Sequence, residues 1–159
     1  TLQRGQYFLV QQASGGANGS ALPLPDATGS IVMAAGAGKV ALVNSTLALP
    51  AAGCPSGATV IDFVGYGTTA NCREGSSTTD NAPAPSATLS DKRDLSGCQD
   101  LNNNQQDFAT GAVTPRNTAT ALNTCGCSVS FSSMLVPFKL ESPTIQVLGP
   151  VFRLDSVGR

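Results

Sequence analysis

Apolar residues occur in this chain only as short runs, each cut off within a few residues by Gly, Pro, Ser or Asn. Runs of that kind cannot build the continuous stripe that buries one face of a helix, and they suit strands joined by turns. No convincing helix is expected. Short strands at regular spacing with turn signals between them read as an all-β sandwich or barrel. The length of 159 residues fits one domain, and a 41% hydrophobic content is enough for a core.

Five segments are expected as strands. Tyr7–Gln11 alternates, with Tyr7 and Leu9 on the side opposite Phe8 and Val10. Ser30–Met33 and Lys39–Val43 flank a small-residue turn. Thr59–Gly65 is β-branched and aromatic, apolar on both faces, and so central. Asp62 lies in its middle, where a carboxylate is either buried with partners or turned to an edge. Ser86–Leu89 is a further strand, followed by the charged cluster Asp91-Lys-Arg-Asp94. Residues 128–159 differ in pattern, and Val129–Phe131, Met134–Leu140 and Thr144–Leu148 are possible extra strands or the start of another domain.

Chemistry is limited by what the chain omits. It has no His, which removes Ser-His and Cys-His catalytic pairs and the commonest zinc ligand. It has no Trp and two Tyr, so aromatic platforms for sugar are scarce. Only 12% of residues are charged and the net charge is −1, so no basic footprint invites nucleic acid. No apolar run is long enough to span a membrane. The five cysteines, Cys54, Cys72, Cys98, Cys125 and Cys127, lack C-x-x-C spacing. Disulfides and an oxidising compartment are the better reading. Cys54 precedes the strong strand and Cys72 follows it, which predicts a bridge between them. Cys98 is then expected to pair with Cys125 or Cys127.

Several motifs read more simply than they look. Gly36-Ala-Gly-Lys39 has Met33 and Val40 where a phosphate loop needs Gly and Ser or Thr, so it is a tight turn. Asp100-Leu-Asn-Asn-Asn-Gln-Gln-Asp107 offers oxygens at alternate positions, a possible Ca2+ site. The competing reading is a turn whose Asn and Asp side chains bond to main chain. Asp62, Asp91 and Asp94 are expected to be structural rather than a glycosidase pair. Lys92 and Arg93 are expected at a solvated edge. Arg116 is expected to pin the C-terminal segment by hydrogen bonds. Asn18-Gly-Ser20 and Asn44-Ser-Thr46 fit a glycosylation sequon without implying use.

A series of stretches in order is more specific than any of these. They are Gly5-Gln-Tyr-Phe-Leu-Val10, Leu24-Pro-Asp-Ala-Thr-Gly29, Gly38-Lys-Val-Ala-Leu-Val-Asn44, Asp62-Phe-Val-Gly-Tyr-Gly67 and Asn71-Cys72. Gly97-Cys98, Asp107-Phe-Ala-Thr-Gly111 and Pro115-Arg-Asn117 follow. Over roughly residues 5–118 the chain resembles the bacterial branch of the lamin-tail domain family. The resemblance implies an immunoglobulin-like β-sandwich over residues 1–119, with residues 120–159 a C-terminal extension. It carries no catalytic, cofactor-binding or metal-binding residue. The implied role is a non-catalytic binding or tethering module of a secreted or cell-surface bacterial protein, its partner a protein or surface polymer.

Two alternatives stand beside it. One is a piece of a larger secreted hydrolase, of nuclease or phosphatase type, whose active site lies outside the chain. The other is a structural surface or filament subunit. The family's opening strands have no counterpart here, which predicts a sandwich incomplete at its N-terminal edge and Phe63 short of cover. The gap would be filled by the chain's own tail, a second copy or a missing N-terminal segment.

Overall fold

The computed structural model describes residues 2–16, 21–49 and 53–126. The expected tail strands Val129–Phe131, Met134–Leu140 and Thr144–Leu148 lie outside the described residues, as do Asn18 and Cys127. Among the described residues strands and loops dominate, with six strands in three two-stranded sheets: β1 (Val10–Gln11) with β2 (Ala27–Thr28), β3 (Gly38–Val43) with β4 (Val60–Tyr66), and β5 (Leu89–Arg93) with β6 (Phe108–Ala112). The first pair is parallel and the other two are antiparallel. The fold is β-rich, as the short apolar runs predict.

β4 is the spine. Its residues from Asp62 to Tyr66 are all buried, consistent with a strand that is apolar on both faces. Val64 and Tyr66 join Ala82 and Phe108 in the core cluster, with Met33 and Val40 packed against it. Burying each large side chain is worth about 1.5–3 kcal/mol. Gly65 stands inside the strand for a steric reason: a Cβ there would run into the Cys72 carbonyl, which crosses directly over it. The Cys54–Cys72 bridge, with Cα atoms 5.3 Å apart, forms as expected and ties the start of the β4 hairpin to that crossing segment. The second expected pairing involves Cys98 and either Cys125, which is half-buried, or Cys127, which is outside the described residues.

The expected alternation over Tyr7–Gln11 holds in burial: Tyr7 and Leu9 are buried, while Phe8 and Val10 are exposed. Only Val10 and Gln11 pair as strand, because Asp26 takes the Leu9 N–H with its carboxylate at 2.7 Å. Asp26 also accepts from the Thr118 N–H and hydroxyl. Asn117 Nδ2 donates to the Leu24 carbonyl at 2.9 Å, and the Asn123 N–H donates to the Gly5 carbonyl at 2.9 Å. Arg116 lies 4.3 Å from the Tyr7 ring centroid and donates to its hydroxyl at 2.9 Å. The early and late stretches of the chain are thus clasped together, and Arg116 pins its segment as expected.

Four expectations are corrected. Ser30–Met33 forms no strand. Its polar contacts are single ones, Ala13 N–H to the Ile31 carbonyl and Ile31 N–H to the Gln12 side chain, and Ile31 and Val32 stay exposed. The strand expected at Ser86–Leu89 instead starts at Leu89 and runs through the charged cluster to Arg93, since Phe108–Ala112 supplies a pairing partner there. Two single helical turns occur among the described residues, α1 (Asp94–Gly97) and α2 (Asn104–Asp107). The first is left-handed within, at Leu95 and Ser96, and both are too short to show periodicity in sequence. Phe63 does not lack cover, being 6% exposed.

Candidate functional site

Arg93 ends β5 and points inward. A further correction concerns it: the expected solvated edge residue is 5% exposed. Its Nη2 donates to both carboxylate oxygens of Asp62, at 2.8 and 2.7 Å. Its Nη1 donates to the Gln99 carbonyl at 3.1 Å and lies 3.4 Å from Asp100. Its guanidinium stacks 4.7 Å from the Phe108 ring centroid. Asp62 is therefore buried with a partner, one of the two outcomes its place in β4 allowed. Burial pushes its carboxyl up from the ordinary 3.8, and Arg93 pulls it back.

The Asp100–Asp107 stretch directs its oxygens to main chain, as the turn reading has it. Asp107 is fully buried, and its carboxylate accepts the N–H groups of Leu101 at 2.9 Å and Asn103 at 3.1 Å. Asn103 caps α2 by accepting from the Gln106 N–H. No group of three or more His, Cys, Asp or Glu side chains placed to hold a metal ion occurs among the described residues. Asp91 is half-buried in β5, its carboxyl pushed up to about 6 by burial.

Asn104, read from sequence only as one oxygen of the Asp100–Asp107 turn, has a role that sequence reasoning missed. It is fully buried, and its side-chain amide sits against the side of β4 away from β3. Its Oδ1 accepts from the Gly65 N–H at 2.8 Å and the Glu74 N–H at 3.1 Å. Its Nδ2 donates to the Phe63 carbonyl at 3.0 Å and to Glu74 Oε2 at 3.1 Å. One amide thus imitates a neighbouring strand. Ala82 continues the imitation, donating to the Gly65 carbonyl at 2.8 Å and accepting from the Gly67 N–H at 2.9 Å. Glu74 is pushed up to about 7, first by burial and then by Asp62 and Asp100 nearby. An Asn in an Asn-rich turn carries no sequence mark of this role.

Gly67 and Ala82, at the margin of this network, and Phe108 are among the residues that line a surface groove of about 380 Å³. Its lining is mostly apolar, with Ala82, Pro83, Ala84 and Phe108, and its polar side chains are Thr68, Thr78, Thr79, Asn81 and Gln105, none of them charged. Phe108 is the residue beneath Arg93, and Gln105 follows Asn104 in α2. The wall is stiffened locally. Asn81 Nδ2 donates to the Gly67 carbonyl at 2.6 Å while its Oδ1 accepts from Arg73, and Asp80 accepts the Ser77 N–H at 2.7 Å. The Gln105 N–H donates to the Asp80 carbonyl at 2.9 Å, joining the two walls. Hydroxyls and amides on a rigid frame can orient a neutral polar ligand by hydrogen bonds.

No helix among the described residues is long and apolar enough to cross a membrane. Searches against protein-family models, curated proteins and solved structures found no match to this chain.

Proposed function

We propose that this chain is a non-catalytic binding or tethering module of a secreted or cell-surface protein, built on a lamin-tail-like, immunoglobulin-type sandwich. The observation that carries the reading is the uncharged groove between Thr68 and Gln105. A neutral, hydroxyl-bearing segment of a surface polymer is the ligand it suits, because the lining is mostly apolar and its polar side chains are threonine hydroxyls and uncharged amides. The disulfide fits an oxidising compartment. The β-rich fold with small sheets is compatible with a sandwich, and the absence of His from the sequence supports a role without catalysis.

The test is an NMR titration of the folded protein with neutral oligosaccharides at millimolar concentration. Shifts should cluster at Thr68, Thr78, Thr79 and Gln105, and Thr79→Val with Gln105→Ala should abolish them. Shifts elsewhere, or none with any neutral glycan, end the reading. Nuclease, phosphatase and glycosidase assays should stay at background, and turnover that survives re-purification would overturn the non-catalytic assignment.

A further inference from the structure

We propose that the outer edge of β3 is a self-association surface, on which a second copy of this chain pairs antiparallel to make a continuous four-stranded sheet, β4-β3-β3-β4. The starting point is which way the main-chain groups of the hairpin face. Phe63 and Gly65 turn their polar groups toward Asn104 and Ala82, on the side of β4 away from β3. Asp62, Val64 and Tyr66 therefore face β3, where their register partners are Leu42, Val40 and Gly38. The intervening residues Lys39, Ala41 and Val43 turn their N–H and C=O groups outward. Within the described residues none of those groups has a hydrogen-bond partner. The inner sheet edge is closed by a side-chain amide and Ala82, while the outer one is open among the described residues. An open, regular edge is a template for another strand.

Charge and register favour a second copy as the occupant. A two-fold axis through Ala41 sets Ala41 against its own counterpart and Lys39 against Val43 of the other copy. No like charges then face each other across the new pairing. The lysine that would ordinarily guard such an edge is drawn away from it: Lys39 Nζ donates to Asn71 Oδ1 at 3.1 Å and to the Gly53 carbonyl at 3.4 Å. A net charge of −1 leaves little long-range repulsion between two copies.

The experiment combines sedimentation with amide hydrogen exchange on the full chain across a concentration series. The expected result is a monomer–dimer equilibrium in which the Lys39, Ala41 and Val43 amides become protected as dimer forms, while those of β4 do not change. Two variants of opposite charge at one position control for any cost of losing the valine. V43K faces Lys39 of the other copy and should weaken dimerisation by about tenfold relative to V43E at low salt, since each pair occurs twice per dimer. The gap should close at high salt. A monomer at every concentration overturns the proposal, as do equal affinities of V43K and V43E at low salt, or protection that maps elsewhere. Protection already complete at the lowest concentration would put other residues of the same chain on this edge and overturns it as well.

Discussion

Asn104 concentrates the polar accounting of the fold in one side chain. Four hydrogen bonds converge on a fully buried amide, and two of them satisfy main-chain groups of the central strand. Asn104→Ala leaves the Gly65 N–H and Phe63 carbonyl buried without partners, and stability should fall by about 2–4 kcal/mol. Urea unfolding measures this, and a loss within the range of an ordinary surface substitution would show that water replaces the amide. The cost is set by desolvation of the strand groups rather than by lost attraction, which is why it exceeds one hydrogen bond. Arg93 illustrates the same economy: a cation expected in solvent is buried because Asp62, placed by β4, and Asp107, placed by α2, need a counter-charge.

At the scale of elements, the hairpin β3-β4 and the segment that crosses it depend on each other. The Cys54–Cys72 bridge closes a loop of 18 residues in sequence around β4. Cys54→Ser with Cys72→Ser should cost about 3 kcal/mol in the chain-entropy account. The check is a melting temperature lowered to match that of the reduced wild-type protein. A double variant that melts with the oxidised wild type would mean the crossing segment is held by Asn104 and Gly65 alone. Strand existence was legible for β3 and β4, where β-branched residues are dense. It was not legible for β5, where the pairing partner Phe108–Ala112 rather than local propensity recruits a charged stretch into a ladder. Ser30–Met33 failed for the converse reason: strong propensity without a neighbouring strand makes no sheet.

For the molecule as a whole, stability should be greatest in mildly acidic solution. Glu74 and Asp91 have folded-state values of about 7 and about 6, raised from ordinary values of 4.5 and 3.8. The folded chain therefore holds protons that the unfolded chain has released, and stability falls as pH rises from about 4 to about 7. Asp26 acts in the opposite sense. The Leu9 N–H and the Thr118 hydroxyl hold it below 3.8, so its support of the terminal clasp is lost as pH drops under that value. Denaturant midpoints across pH should peak near pH 4–5, and Glu74→Gln should flatten the limb between pH 5 and 7. A wild-type profile flat over that interval would show that Glu74 releases its proton as readily in the folded chain as in the unfolded one.

Local sequence is enough to make this chain β-rich, to anchor its core on Thr59–Gly65, to turn Tyr7 and Leu9 inward, and to bring Cys54 to Cys72. Each follows from local composition, period or separation along the chain, which tertiary contacts reinforce. Only the tertiary structure decided the buried Arg93–Asp62 pair, the strand-like amide of Asn104, the clasp of Asp26 on Thr118 and the uncharged groove above Phe108. These join residues up to 92 positions apart. A polar side chain in a turn looks the same in sequence whether it faces water or completes the edge of a distant strand, because only the unpaired main-chain groups it meets define its role.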